Sequence, residues 1–192
     1  MHDDSHVVVR PIGADDKRAL GHAFEQLSEQ SRYQRFLTSV SELSDSELRY
    51  LTDVDHHDHE ALIAFDPETG YGVGVARFVR LDDGTSAEAA VTVIDSWQGR
   101  GLGMALTRML ADRAREEGIE RFKALLLASN EQVHDVLESL GPAHVISREA
   151  GTVQVEVDIP PEGIGDHMAG VLRVAAGGAA ESATPPWGLR PT

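Results

Sequence analysis

The sequence contains no cysteine, few aromatic residues and too few basic residues to balance its acidic ones. The absence of cysteine excludes disulfides, a cysteine nucleophile and thiolate metal ligands. The 32 acidic side chains against 17 basic ones give a formal charge of −15, which repels nucleic-acid phosphates and anionic membranes. The same charge attracts cationic partners such as amines. The alternative interpretation is that it serves solubility alone.

Long apolar runs are missing as well. No stretch of 18 or more apolar residues is present, so the sequence predicts no transmembrane helix. Residues 1–6 are polar and acidic and lack the basic start and apolar middle of a signal peptide. We therefore expect a cytoplasmic protein with no membrane and no nucleic-acid partner. At 192 residues, the chain has the length of one domain with a possible tail.

Residues 88–118 are the most informative stretch. A β-branched run at residues 90–94 predicts a strand, and apolar residues at helical spacing from Leu102 onward predict a helix with one buried face. Between them lies Gln98-Gly99-Arg100-Gly101-Leu102-Gly103. Glycines at alternate positions leave backbone N–H groups uncovered at the positive end of a helix, which is a site for a phosphate or pyrophosphate.

The spacing of these glycines selects among phosphate-binding loops. The dinucleotide pattern G-x-G-x-x-G fails because Met104 or Leu106 stands where its last glycine belongs, and the P-loop's Lys-Ser/Thr pair is absent. The pattern present is Gln-x-x-Gly-x-Gly after a strand. It resembles the coenzyme A pyrophosphate loop of the GCN5-related N-acetyltransferase (GNAT) superfamily. The alternative is an ordinary glycine-rich strand-to-helix turn.

The order of predicted elements extends this resemblance to residues 7–159. Strands are predicted at 7–12, 61–65, 71–81, 88–94, 122–127, 145–146 and 153–159, and helices near 15–27, 28–36, 44–51, 102–118 and 130–140. This is a mixed α/β fold with a mostly antiparallel central sheet flanked by helices, and it follows the GNAT order. We expect an acetyltransferase domain at 1–159 and a Gly/Ala/Pro-rich tail at 160–192 that is flexible with at most a short helix.

The resemblance implies that an amine attacks the thioester of acetyl-CoA directly. It assigns the pyrophosphate to the loop, the pantetheine arm to the fourth strand, and thioester polarisation to a backbone N–H near Val93. The cofactor-binding residues it implies are Val91, Thr92, Val93, Gln98, Gly99, Arg100, Gly101, Leu102, Gly103, Met104 and Asn130.

Glu88 is the candidate general base. The segment from Ala87 to Gly103 is similar to that of bacterial Pat-type protein lysine acetyltransferases, in which a glutamate at this position is proposed as the base. An amine with a pKa near 10.4 needs such a group to lose its proton. The resemblance makes a protein lysine the expected acceptor, with a small amine as the alternative. For Glu88 itself, the alternative is a side chain that simply faces solvent.

One residue departs from the GNAT pattern. Asn130 matches an asparagine that many GNAT enzymes carry seven residues before a general-acid tyrosine, but Leu137 occupies the tyrosine position. The resemblance to Pat-type enzymes implies that solvent protonates the departing thiolate, and His134 is an alternative proton donor. The missing tyrosine also leaves open a non-catalytic acyl-CoA-binding sensor. The sequence does not indicate the oligomeric state.

Two further segments have competing interpretations. Residues 55–60, Asp-His-His-Asp-His-Glu, have the composition of a metal site but lack ligand spacing, so we expect no metal and place them at the acceptor entrance. Residues 31–36, Ser-Arg-Tyr-Gln-Arg-Phe, resemble a Pat-related stretch on the acceptor side. The alternative is that Tyr33 and Phe36 are core residues and the arginines are solvated.

Overall fold

The computed structural model describes residues 6–161. The expected tail at 160–192 therefore lies outside the described residues apart from its first two. The strands are β1 Val8–Pro11, β2 His59–Phe65, β3 Gly72–Arg80, β4 Ser86–Val93, β5 Arg121–Leu127, β6 Ala143–Glu149 and β7 Thr152–Asp158. The helices are α1 Lys17–Glu25, α2 Glu29–Phe36, α3 Asp45–Thr52, α4 Leu102–Glu116 and α5 Glu131–Glu138, with 3-10 turns at Ala14–Asp16 and Asp95–Trp97.

The strands form one sheet in the order β1-β2-β3-β4-β5-β7-β6. Neighbouring strands are antiparallel except β4 and β5, which run parallel because α4 connects them. The prediction of a mixed, mostly antiparallel α/β fold is confirmed. Within residues 6–161, no helix combines the length and the apolar character needed to cross a lipid bilayer.

The two faces of the sheet are covered by different helices. On one face α4 lies against β3 at Gly74, where an added Cβ would be 3.0 Å from Leu106 Cδ1. On the other face, α1 contributes buried Leu20 and Phe24 to a layer over Val75. Because side chains alternate along a strand, every second residue of β4 belongs to each face. Glu88, Ala90 and Thr92 share the face covered by α1 and α2.

The parallel strands β4 and β5 stay paired for only a short distance. Their register runs from Ser86 opposite Arg121 to Glu88 opposite Lys123, and no further pair joins them in the described chain. Beyond Glu88, β4 remains paired with β3 as far as Val93, while β5 pairs with β7. The two strands therefore separate and leave β4 with one unpaired edge, which opens a cleft in the middle of the sheet.

Candidate active site

The cleft between the separating strands has a volume of about 530 Å³. It is bounded by β4 and β5, by the glycine-rich loop that follows the carboxyl end of β4, and by α2 and α5 at its sides. Ten of the twelve site residues predicted from the sequence line it: Glu88, Val91, Thr92, Val93, Gln98, Gly99, Gly101, Gly103, Met104 and Asn130. The structure thus brings the predicted base, strand and loop to one cavity.

Two predicted residues do not line the cleft with their side chains. The guanidinium of Arg100 stacks on the ring of Trp97 at 5.0 Å from its centroid. The Leu102 side chain is 1% exposed and belongs to the core, next to the position of Gly74. What both can offer a ligand is their backbone N–H, as the sequence argument required.

The loop geometry explains why glycine stands at two of its positions. Gly99 and Gly101 have φ values of +73° and +86°, a region that side chains with a Cβ disfavour. Gly101 is the N-cap of α4, and the first helical hydrogen bond runs from Ala105 N to Gly101 O at 3.0 Å. The N–H groups of residues 102–104 precede that bond and lie outside the helical ladder, at the positive end of a 15-residue helix.

Gln98 connects the loop to its neighbours rather than pointing freely into the cleft. Its Nε2 donates to the Val93 carbonyl at 3.0 Å and to Ser31 Oγ at 3.2 Å. Asp95 makes a second connection, accepting from the Ser28 backbone N–H at 3.3 Å. Burial acts to raise the pKa of Asp95, but hydrogen bonds from Ser28 and Ser31 leave it below its usual value. The start of α2 is therefore fixed to the loop.

Glu88 is exposed to the cleft, whereas its neighbours Ala87 and Ala89 are buried. It is opposite Val79 on β3 and Lys123 on β5, at the last residue pair before β4 and β5 separate. Within residues 6–161 its carboxylate forms no ion pair or hydrogen bond. The charge of Arg35 on α2 acts on it from nearby. A carboxylate that lines a cleft without a hydrogen-bond donor is available to accept a proton.

Helix α5 closes the cleft on the β5 side. Asn130 is its N-cap, accepting from the Val133 N–H at 3.3 Å, and Val133 and Val136 line the cavity. Leu137 is 4% exposed and does not line it. His134 is also absent from the lining residues, so the alternative proton donor considered from the sequence does not reach the cleft.

The sequence leaves two interpretations of residues 31–36 open, an acceptor-side segment or core residues with solvated arginines. In the structure these residues belong to α2, which lies along the cleft. Ser31, Gln34, Arg35 and Phe36 line the cavity. Tyr33 is 47% exposed, so the interpretation of Tyr33 as a core residue is wrong. The signal was the spacing, because residues 31, 34 and 35 share one helical face and Tyr33 points away from it.

The acidic and histidine-rich segment 55–60 lies elsewhere. None of its residues is among those lining the cleft, and the expectation that it borders the acceptor entrance stays a prediction. Glu60 is 1% exposed and accepts from Arg113 Nε at 3.2 Å, with His56 Nδ1 at 2.8 Å. His57 hydrogen bonds Glu117. The segment fastens the end of α4 to β2. No group of three His, Asp or Glu side chains in residues 6–161 is arranged to hold a metal ion.

Comparison with known proteins agrees with this geometry. Residues 21–141 match the model of the Acetyltransferase (GNAT) family. Acetyltransferase Pat of Mycolicibacterium smegmatis is 34% identical over 154 residues, which cover 80% of this chain and 46% of that protein. The chain thus spans about half of that relative's length. Acetyltransferase PA5475 of Pseudomonas aeruginosa is 32% identical over 143 residues, covering 73% of this chain and 77% of that protein.

Solved structures give the same result. The GNAT domain of S. lividans PAT superposes with a TM-score of 0.76 at 34% identity, covering 82% of this chain and 93% of that one. The protein yncA from Salmonella typhimurium, solved with its cofactor acetyl-CoA, superposes with a TM-score of 0.64. At 19% identity, covering 81% of this chain and 95% of that one, yncA shows the fold alone. The chain therefore belongs to the GNAT acetyltransferase family, the acetyl-CoA-dependent N-acetyltransferases.

Proposed function

We propose that this chain transfers an acetyl group from acetyl-CoA to the side-chain amine of a protein lysine, with Glu88 as general base. The observation that carries the proposal is the shared cavity, which is lined by a glycine-rich loop at a helix N-terminus, an unpaired strand edge and a carboxylate. Each of these matches one physical demand of acyl transfer to an amine.

The first demand is to hold the pyrophosphate. The N–H groups of residues 100–104 surround the start of α4, where the helix dipole favours negative charge. An overall charge of −15 makes a local positive potential more important for an anionic cosubstrate. The positive φ of Gly99 and Gly101 favours glycine, and because glycine has no Cβ, no side chain at these two positions covers the donors.

The second demand is to orient and polarise the thioester. The unpaired edge of β4 between residues 90 and 93 offers backbone N–H and C=O groups for the pantetheine arm. Negative charge develops on the thioester oxygen as the amine attacks, and a fixed backbone N–H near Val93 stabilises it there. Gln98 fixes the carbonyl of Val93 and so helps to hold this end of the strand in place.

The third demand is to remove a proton from the amine. Glu88 precedes Val93 by five residues, a separation of about 16 Å along a strand. A glutamate side chain does not reach across that distance, so we assign the proton transfer to water molecules in the cleft between the amine and Glu88. Attack breaks the C–S bond and releases CoA thiolate. A thiol has a pKa near 8.5, so the thiolate leaves readily and solvent protonates it, with no acid required at Leu137.

A non-catalytic acyl-CoA sensor is the second candidate, because Leu137 is buried and His134 lies outside the cleft. A small amine is the alternative acceptor. Thiol release from acetyl-CoA separates the three when measured with lysine-containing proteins, including an acetyl-CoA synthetase, and with a panel of small amines. Release with proteins supports the lysine proposal, and release with small amines alone contradicts it. CoA binding by calorimetry without any release supports the sensor.

A further inference from the structure

A small pocket adjoins the cleft on the face of the sheet that carries Glu88. Its volume is about 50 Å³, which exceeds the roughly 10–15 Å³ that one water molecule requires, so it admits a small polar group. Arg35, Phe36, Ala90 and Thr92 line both the pocket and the cleft, so the two spaces share a wall. The remaining lining is apolar except for Arg77.

Arg77 is a buried cation without a carboxylate. It is 7% exposed, on β3 between Ala76 and Phe78, which are fully buried. Its Nη2 donates to the Leu51 carbonyl at 3.1 Å and its Nη1 to His59 Nε2 at 3.3 Å. His59 accepts as the neutral ring, and burial together with the charge of Arg77 lowers the pKa of His59. No acidic group in residues 6–161 forms an ion pair with Arg77.

Arg35 lines the same pocket from α2. In the described part of the chain its guanidinium makes no hydrogen bond or ion pair, and its Cζ lies 5.1 Å from the centroid of the Phe36 ring. Burial lowers the pKa of Arg35, and the charge of Glu88 opposes that effect. Burial and the neighbouring charge of Arg35 lower the pKa of Arg77 to about 10. Two desolvated cations side by side are costly unless an anion joins them.

We infer that Arg35 and Arg77 form a subsite for a carboxylate of the acceptor, beside the amine that is acetylated. This inference rests on the proposed function, because it names what the same cleft recognises besides the amine. A guanidinium pair binds a carboxylate through charge-assisted hydrogen bonds, and Arg77 still has donors beyond the two already engaged. The ligand supplies a negative charge to Arg77, which forms no ion pair within residues 6–161 and whose printed hydrogen bonds go to a carbonyl and a neutral ring.

The register of the sheet places this subsite next to the proposed base. Arg77 is opposite Ala90, and Val79 is opposite Glu88, so Arg77 and Glu88 are diagonal neighbours on one face. Such neighbours lie about 7–8 Å apart. The amine attacks near Val93, and Ala90, the partner of Arg77, precedes Val93 by three residues, about 10 Å along the strand. An acceptor whose amine and carboxylate are separated by the length of a side chain spans this distance. The carboxylate has two possible sources, the α-carboxylate of a free amino acid or an acidic side chain next to a lysine in a protein.

The test compares each carboxylate with its uncharged amide. Calorimetry on CoA-saturated protein measures binding of L-lysine against L-lysinamide, and of a lysine peptide with aspartate beside the lysine against the same peptide with asparagine. Because this readout needs no turnover, it is independent of whether acetyl transfer occurs. We expect at least one carboxylate to bind about tenfold or more tightly than its amide. The pair that shows the preference identifies the source.

Variants locate the preference. Arg35→Gln and Arg77→Gln should each abolish it while CoA binding stays unchanged, and Arg148→Gln, an exposed arginine on β6, should retain it. If Arg77→Gln fails to fold, Arg35→Gln decides the test. The Arg35 side chain is partly exposed, so we expect this variant to fold. Equal binding of carboxylate and amide in both pairs, no binding of either carboxylate, or a preference that survives Arg35→Gln would overturn the inference. Absence of acetyl transfer with the preference intact would instead contradict the proposed function alone.

Discussion

At the scale of single residues, the ion pair between Arg10 and Asp16 joins β1 to the turn that starts α1. Arg10 donates to both carboxylate oxygens, at 2.6 and 2.7 Å, and the Gly13 N–H donates a third hydrogen bond at 2.8 Å. Asp16 is 7% exposed, so its charge is satisfied by these partners rather than by water. The hydrogen bond from Arg10 is the main reason that the pKa of Asp16 is lowered.

A group whose pKa is lower in the folded state stabilises the protein above its unfolded pKa and loses that effect as pH falls. The unfolded pKa of aspartate is near 3.9. We therefore expect Asp16→Asn to lower the free energy of unfolding by about 2 kcal/mol at pH 7, and by progressively less below pH about 4. Urea denaturation across this pH range measures both effects.

The matched control is Asp82→Asn, an exposed aspartate in the β3–β4 turn. It should change the free energy of unfolding by less than about 0.5 kcal/mol at every pH. A loss from Asp16→Asn that stays constant down to pH about 2.5 would show that the carboxylate charge is not the source of the stabilisation.

At the scale of elements, Gly141 fixes the distance between the end of α5 and β7. A Cβ at this position would lie closer than 3.0 Å to the Asp158 carbonyl oxygen, and a backbone atom does not move aside cheaply. We expect Gly141→Ala to lower the free energy of unfolding by about 3 kcal/mol. Gly21 in α1 is the control, because its nearest neighbour is 3.9 Å away, and Gly21→Ala should stabilise the fold by up to about 1 kcal/mol.

Urea denaturation of both variants gives the two values. A Gly141→Ala variant as stable as the unsubstituted protein would show that α5 is free to shift, and that the α5 wall of the cleft is less fixed than the structure implies.

Gly141 also shows what the sequence predicts about elements and what it does not. The position of Gly141 before Pro142 is a local signal that predicts it as the cap of the helix near 130–140, but the C-cap of α5 is Ser139. The contact of Gly141 with Asp158 depends on how α5 packs on β7, so no local pattern reveals it. Likewise, the sequence predicts the start of α3 with Ser44 or Asp45 as its cap, and the structure shows Ser44 as the N-cap in a capping box with Glu47. The placement of α2 along the cleft, in contrast, depends on contacts between Ser31 and the distant Gln98.

At the scale of the whole molecule, the short connections between β2, β3 and β4 predict that these strands are antiparallel neighbours. The pairing of β1 with β2 and of β5 with β7 joins strands that are separated by other elements, and no local pattern reveals it. Alternation predicted which β4 residues share a face, but it did not predict that Arg77 would be opposite Ala90. An arginine within a buried strand, Val73 to Phe78, was the available signal. The proposed role of Arg77 depends on the register of β3 with β4 and on the position of Arg35 on α2. Both arise only in the folded chain.

The net charge of −15 also acts at this scale. A negative surface attracts cationic acceptors over distances set by the Debye length, about 30 Å at 0.01 M salt and 3 Å at 1 M. With acetyl-CoA saturating, we expect kcat/KM for a lysine peptide of net positive charge to fall severalfold over the range from 0.01 to about 0.5 M NaCl. A peptide of zero net charge is the control and should change by less than about twofold. An equal response of both peptides would exclude steering by the protein's charge.

The central claim is that Glu88 accepts the proton of the attacking amine. Glutamine keeps the size of the side chain but does not accept a proton, so Glu88→Gln removes the chemistry and preserves the cleft. The direct measurement is kcat for acetyl transfer together with the calorimetric Kd for CoA, with the exposed Glu68→Gln as control. We predict that Glu88→Gln lowers kcat by about 10²–10⁴ with the Kd for CoA unchanged, and that Glu68→Gln changes neither. A kcat within about twofold of the unsubstituted protein would contradict the assignment of Glu88 as the base.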